Sequence, residues 1–172
     1  MRHRPVILII IGAALLAACR RGAPPAAPAP SFNPVTTAER LYYDNGGGIQ
    51  EAVRLVVRDA VTLADVWQRV TSRQVEPPPA PQIDFTREML LVVAAGRMTP
   101  EDEIRVDSVG IQSETTATGR TEQVMAVIDR IREGCRRFNA DAYPLEVVRV
   151  RRFDGPVNFI ERREQATDCR DL

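Results

Sequence analysis

Few side chains in this sequence could carry out acid–base, nucleophilic or metal chemistry. His3 is the only histidine of the 172 residues, and the cysteines are Cys19, Cys135 and Cys169. We expect the segment that contains His3 to be removed from the mature protein, for reasons given below. Without a histidine, the remaining chain can form no Ser-His-Asp triad, no Cys-His pair and no histidine-ligated zinc site. Carboxylates and thiols are therefore the groups whose chemistry has to be weighed.

Asp84 and Glu88 form one pair of carboxylates that could act together. A glycosidase-like mechanism would need them ~5 to 9.5 Å apart in a cleft, with the pKa of one of them raised. Nothing in the sequence indicates such a cleft, and Asp84 stands just before an apolar strand. We expect its carboxylate instead to accept backbone N–H groups of a turn.

A second group of carboxylates, Glu101, Asp102, Glu103 and Asp107, could bind a hard cation through oxygen. Their spacing does not match an EF-hand loop, and acidic residues in loops are usually solvated. The sequence therefore predicts no metal site, no cofactor and no catalytic residue.

Two thiols, Cys135 and Cys169, are not arranged as Cys-x-x-Cys, the spacing that lowers the pKa of one thiol in redox proteins. If they paired, they would close a loop of about 35 residues and stabilise the fold by roughly 3 to 4 kcal/mol. Such a bond persists in an oxidising compartment. We predict a structural disulfide between them, with two unrelated buried thiols as the alternative.

The amino-terminal stretch indicates that the protein is exported. Arg2 and Arg4 precede the apolar run Val6–Ala18, whose 13 residues end in Leu-Ala-Ala before Cys19. The run is too short to cross ~30 Å of hydrocarbon at ~1.5 Å per residue, so it is typical of a cleaved signal. The Leu-Ala-Ala-Cys ending resembles the lipobox of bacterial lipoproteins, which implies removal of residues 1–18 and lipid attachment to Cys19. An ordinary secretory signal is the alternative.

Residues 19–36 comprise this cysteine and an Ala/Pro-rich stretch. Proline favours extended polyproline-II structure at ~3.1 Å per residue, so the stretch predicts a semi-rigid tether of at most ~50 Å. Several acyl chains on one cysteine anchor a protein stably. The residue after the cysteine is Arg20 rather than Asp, and the lipoprotein resemblance then implies delivery to the outer membrane, facing the periplasm or the cell surface.

The charge balance argues against a nucleic-acid partner. Without residues 1–18 the chain keeps 21 of its 23 arginines, all its basic residues being arginine, against 23 acidic residues. A net charge of about −2 creates no field that would attract nucleic acid or an anionic membrane face. Contact with the membrane must therefore come from lipid on Cys19.

Residues 37–172 should form one domain, since a chain of about 136 residues can bury about two-thirds of its surface around a single core. The pattern predicts an α+β fold, mainly an antiparallel β-sheet or sandwich, with one amphipathic helix at about 63–73. Thr62 is its expected N-cap, and apolar residues recur at helical spacing. Trp67 lies in register with them, which favours core packing over a ligand platform.

Several other segments are typical of strands. Ile49–Arg58 alternates apolar and polar residues, which predicts a half-buried strand with one wet face. Met89–Ala95 is apolar at every position and should be the central strand, covered on both faces. In Ile104–Ile111 the alternation slips between Val106 and Val109, as a β-bulge would produce.

Two further strands are expected near the carboxyl end, at Leu145–Arg151 and Pro156–Glu161. Asp154 and Gly155 lie between them, and an Asp-Gly pair is a strong hairpin signal. We therefore expect these two strands to pair as a hairpin.

Four features of the domain follow one another in an order that resembles the C-terminal domain of the protease complex subunit PrcB family. They are Trp67 in the helix, the Pro-rich link into Ile83-Asp84-Phe85 with a buried strand ending at Gly96, Tyr143-Pro144 before Leu145–Val150, and Val157-x-Phe159. The similarity covers about residues 64–161. It implies a small exported lipoprotein of mainly β structure, whose founding relative is a non-catalytic subunit of a surface protease complex.

The resemblance also bears on residues 123–133 and on the loop after the central strand. Periodicity alone favours a helix over 123–133, whereas the resemblance implies a strand, and Gly119 and Gly134 bracket the segment. We follow the resemblance. After the central strand the family often has a pair of glycines, but this chain has Met98–Asp102, so any contact made by that loop differs.

We therefore expect a membrane-anchored, non-enzymatic module of the cell envelope that binds another envelope protein, such as a protease, through a sheet edge or a loop. The residues expected in that loop are Arg97, Glu101, Asp102 and Glu103. The alternative from a different class is a carboxylate-dependent hydrolase of wall or surface polymer, with Asp84 as the residue to test.

Overall fold

The computed structural model describes residues 33–34, 38–115, 118–134 and 138–167, and of residues 33–34 only the backbone. These residues form eight strands and one helix. In chain order they are β1 (Asn33–Pro34), β2 (Glu39–Asp44), β3 (Ala52–Val57), α1 (Ala60–Val70), β4 (Glu88–Ala95), β5 (Glu103–Thr115), β6 (Thr121–Glu133), β7 (Leu145–Arg151) and β8 (Val157–Gln165).

The strands form two four-stranded sheets. The inner sheet has the order β2-β7-β4-β3 and is antiparallel throughout. The outer sheet has the order β1-β5-β6-β8, in which β8 runs parallel to β6. The prediction of an α+β fold made mainly of antiparallel sheet, with one main helix, is thereby confirmed.

The inner sheet is the middle of three layers, because β4 is buried along almost its whole length. Its residues Leu90, Val92 and Ala94 pack with α1, whereas Met89 and Leu91 pack with strands of the outer sheet. Side chains of a strand alternate between the two faces, so a strand that is apolar at every position needs cover on both sides. The expected central strand is therefore confirmed.

The helix begins earlier than the sequence indicated. Its N-cap is Asp59, whose carboxylate accepts a hydrogen bond from the backbone N–H of Thr62 at 2.8 Å, so the prediction of Thr62 as the cap was wrong. An aspartate satisfies free N–H groups of a first turn at least as well as a threonine does. Trp67 lies in the core, and its indole N–H donates to the carbonyl of Pro78 at 2.9 Å.

Strand β3 differs from its expectation on one face. Val53, Leu55 and Val57 belong to the core beneath α1, as the alternation predicted. The opposite face is not wet, because Val56 packs between the sheets and the side chain of Arg54 is only 16% exposed. A pattern of alternation cannot reveal that a polar residue faces a second sheet.

The bulge in β5 is confirmed, since the pairing of β5 with β6 shifts register between Val106 and Ser108.

Residues 123–133 lie in a strand, β6, as expected. Successive residues from Val124 to Asp129 are buried, so apolar side chains lie on both faces of this strand. Such a run of apolar residues contains helical spacings by chance, which explains the misleading periodicity.

The expected hairpin between β7 and β8 is wrong. β7 belongs to the inner sheet, whereas β8 crosses over to the outer sheet and pairs with β6. A type I′ hairpin turn needs positive φ at both central residues, and in the described part of the chain positive φ occurs only at Gly96, Gly119 and Gly134. Arg58 instead donates to the carbonyl of Gly155 at 2.9 Å and fixes the crossover.

Candidate functional site

The inner sheet has one face toward the outer sheet and one face toward α1. The helix covers only part of the second face. Leu90 and Val147 lie beneath it, but the same face continues along β4 to Glu88 and along β7 to Arg149 and Arg151. An open depression of about 790 Å³ lies at this end of the sheet, and we call it the charged groove. It is lined by Glu39, Asp84, Thr86, Arg87, Glu88, Arg149, Val150, Arg151, Arg152 and Asp154.

Arg149 is held in the middle of the charged groove by carboxylates on two neighbouring strands. Its guanidinium pairs with Glu39 of β2, with Nε 3.1 Å from Oε2, and its Nη1 lies 3.7 Å from Oε2 of Glu88. The hydrogen bond to Glu39 is the main reason why the pKa of Arg149 is raised, and the charge of Glu88 adds to it. The β-sheet register thus sets an alternating row of charges across three strands.

Asp84 and Glu88 both line the charged groove, an open depression that the sequence did not indicate. The carboxylate of Asp84 accepts hydrogen bonds from the hydroxyl of Thr86 at 2.6 Å and from its backbone N–H at 3.0 Å. These bonds stabilise the ionised form and hold the pKa of Asp84 below its usual value. Asp84 therefore has the turn-capping geometry that was expected, and its pKa is shifted away from that of a general acid.

Arg152 fixes one wall of the charged groove. Its Nη1 donates to the carbonyl of Phe85 at 2.6 Å, its Nε pairs with Asp154 at 2.8 Å, and its backbone N–H donates to the carbonyl of Arg87 at 2.8 Å. The segment before β4 and the segment after β7 are therefore joined to each other.

The loop that was expected to bind a partner is tied to the body of the domain. The Asp102 carboxylate is 5% exposed and accepts from Thr99 N–H at 2.9 Å and from Gly134 N–H at 3.1 Å. Both of its oxygens are thus used to fix the loop, and this carboxylate is not available to a partner. Met98 also forms an antiparallel bridge with Ala142.

The other three residues of that loop lie nearer the surface. Arg97 is the most exposed, at 74%, and pairs with Asp141 at 3.0 Å. Glu101 accepts from the backbone N–H of Phe138 at 3.0 Å, and Glu103 pairs with Arg105 at 2.8 Å. A partner at this loop would therefore meet mainly Arg97.

Sequence reasoning missed two ion pairs with a buried carboxylate, and one of them, between Arg54 and Asp129, joins the two sheets. Asp129 of β6 is fully buried and accepts from Nε of Arg54 on β3 at 3.0 Å, while Arg54 Nη2 also lies 2.9 Å from Glu161 of β8. Glu146 of β7, 2% exposed, accepts from Arg40 and from the N–H of Val106. The signal that could have found them is a lone acidic residue within an apolar strand.

Comparisons of this chain with models of protein families, with curated proteins and with solved structures find no match. The fold and the groove define the protein as a β-sandwich backed by one helix, with a charged surface groove. The resemblance to the PrcB family stays a prediction.

In the described part of the chain, no group of three or more His, Cys, Asp or Glu is placed to hold a metal ion.

No helix within the described ranges is long and apolar enough to span a membrane. Cys19, Cys135 and Cys169 lie outside the described residues. The predicted lipid attachment and the predicted disulfide therefore stay predictions.

Proposed function

We propose that the protein is a lipid-anchored, non-enzymatic module of the cell envelope that binds another envelope protein through the charged groove. The observation that carries the proposal is that the groove is open, has a fixed wall, and holds most of its charged groups in ion pairs. A surface of this kind is ready to meet a partner without first rearranging. An envelope protease is one candidate partner, on the strength of the family resemblance.

The anchor is supported by the basic residues, the apolar run and the Leu-Ala-Ala-Cys ending before the tether. We expect the protein to incorporate radiolabelled palmitate and to fractionate with membranes. Cys19→Ala should abolish the labelling and leave an uncleaved precursor. An unlabelled, uncleaved wild-type protein in soluble extracts would contradict the anchor.

The binding function is tested by crosslinking intact envelopes that contain the tagged full chain. We expect one dominant partner, which is lost when Arg151 in the groove is changed to Gln. Arg162→Gln on β8 is the matched control, because Arg162 is an exposed arginine outside the groove. Recovery of nothing above background, or equal recovery with both variants, would count against the proposal.

A second candidate, a carboxylate-dependent hydrolase of wall or surface polymer, is favoured by one observation, the shared position of Asp84 and Glu88 in the groove. The lowered pKa of Asp84 makes it a poor general acid. A zymogram with the purified protein decides between the candidates. Clearing of the polymer that disappears in Asp84→Asn would support the hydrolase, and absence of clearing supports the binding module.

A further inference from the structure

We propose that the charged groove recognises a single carboxylate on a partner polypeptide, and that Arg87 and Arg151 bind it. This inference rests on the proposed binding function of the same groove and names the chemistry of what it binds. Four arginines and four carboxylates line the groove. An arginine that already pairs with a carboxylate of the protein is less available to a ligand than one that does not.

Two of the four arginines are engaged. Arg149 pairs with Glu39 and Glu88, and Arg152 pairs with Asp154 and with the carbonyls of Phe85 and Arg58. The guanidiniums of Arg87 and Arg151 make no hydrogen bond and no ion pair with any residue in the part of the chain that the structure describes. Arg87 acts on Asp84 only through its charge, which is a minor cause of the lowered pKa.

The backbones that carry these two arginines are fixed. The N–H of Arg87 donates to the carbonyl of Asp84 at 2.9 Å, and its carbonyl accepts from Arg152 N–H. Arg151 ends β7 directly opposite Glu88 of β4. Each of these two arginines is therefore attached to a fixed stretch of backbone at the groove, and a guanidinium fork matches the two oxygens of a carboxylate.

The same lining selects against a dense polyanion. A polyphosphate or an anionic polymer would place further negative charges near Glu39, Glu88 and Asp154, which repel them. A lone carboxylate could bind to Arg87 and Arg151. The neutral or basic groups that flank it in the partner would then lie near the carboxylates of the groove, which do not repel them. An acidic side chain within a polypeptide of mixed charge fits this arrangement.

The test uses the full chain in detergent and fluorescence anisotropy of a labelled seven-residue peptide, with one central glutamate flanked by glycines and two arginines. The peptide with glutamine in place of glutamate is the matched probe. We expect saturable binding of the glutamate peptide, weaker by about tenfold or more for the glutamine peptide, as the loss of a charged hydrogen-bonded pair implies. Arg87→Gln and Arg151→Gln should each lower the affinity similarly, and Arg162→Gln should leave it unchanged.

Competition separates the possible sources of the anion. Inorganic phosphate and phosphatidylglycerol vesicles should displace the glutamate peptide poorly. Equal binding of the glutamate and glutamine peptides, or displacement by vesicles at lower concentration than by unlabelled peptide, overturns the inference. If envelope crosslinking still depends on Arg151 in that case, the binding function survives and only the carboxylate recognition fails.

Discussion

Asp129 at the centre of the outer sheet accepts two hydrogen bonds from Arg54 at the edge of the inner sheet, from Nε at 3.0 Å and from Nη2 at 2.5 Å. Glu161, which lies beside Asp129 in parallel register, binds the same guanidinium. One arginine thus compensates two carboxylates between the sheets, and one of the two is fully buried. The contact joins β3, β6 and β8, which the chain places far apart.

Removing this arginine should destabilise the domain strongly. Arg54→Met leaves the buried Asp129 carboxyl beside Glu161 without its cationic partner, and breaking a buried pair by removal of one partner costs about 3 to 5 kcal/mol. Urea denaturation measures the free energy of unfolding. Arg69→Met is the control, because Arg69 and Glu51 are both largely exposed and such a pair contributes less than about 1 kcal/mol. Equal losses in the two variants would contradict the assigned role of Arg54.

The contact between Arg54 and Asp129 could not be predicted from the sequence, although other features of the fold could. Local patterns predicted the buried strand at Met89–Ala95 and the bulge after Val106, because side-chain alternation is a property of neighbouring residues. Arg54 looked like a solvent-facing residue, since nothing in its own strand reveals the second sheet that covers it. Its partner lies 75 residues away.

The crossover after β7 was missed for a related reason. Asp154 and Gly155 favour a hairpin locally, but the choice of sheet depends on where the apolar residues Val157 and Phe159 can be buried. They pack between the sheets when β8 joins β6. Likewise, the charged groove combines β2, the segment before β4 and the end of β7, so only Asp84 and Glu88 could be singled out from sequence.

Tyr43 should titrate well above the ordinary range of a tyrosine. Burial, followed by the negative charge of Glu103, raises its pKa to about 12, and its hydroxyl donates to Asn45 at 2.7 Å. Because the folded state holds this proton more tightly than the unfolded state, the stabilisation is complete below pH ~10 and is lost as the pH rises through the folded pKa. Ultraviolet titration of tyrosinate should show a last step near pH 12 that Tyr43→Phe removes. A folded wild-type protein that finishes titrating near pH ~10 would refute this assignment.

Asp59 should make the stability of the helix depend on pH in the acid range. Hydrogen bonds from the backbone and hydroxyl of Thr62 lower its pKa. A lowered folded pKa means that its contribution is present above the unfolded value of ~3.9 and is lost as the pH falls through the folded value. Asp59→Asn keeps a good cap without the charge, so the wild type should lose its advantage over this variant on acidification below pH ~4. Parallel stability curves for the two proteins across this range would disprove the effect.

The register of β6 and β8 bears on the predicted disulfide. Glu133 and Gln165 lie side by side in neighbouring parallel strands, and Ala166 N–H donates to the carbonyl of Glu133 at 2.9 Å. Cys135 follows Glu133 by two residues, and Cys169 follows Gln165 by four. The chain thus leaves two neighbouring strands shortly before each cysteine, and the disulfide stays a prediction.

Alkylation of the exported full chain without reductant should consequently label neither Cys135 nor Cys169, and reduction should expose both. Peptide mapping by mass spectrometry should recover the two cysteine peptides as one crosslinked species. Cys135→Ser should lower the free energy of unfolding by roughly 3 to 4 kcal/mol, the chain-entropy estimate for a loop of about 35 residues. The double variant with Cys169→Ser should lose no more than the single one, because both remove the same bond. Stoichiometric labelling of both thiols without reductant, or additive losses in the double variant, would show that the cysteines are unpaired.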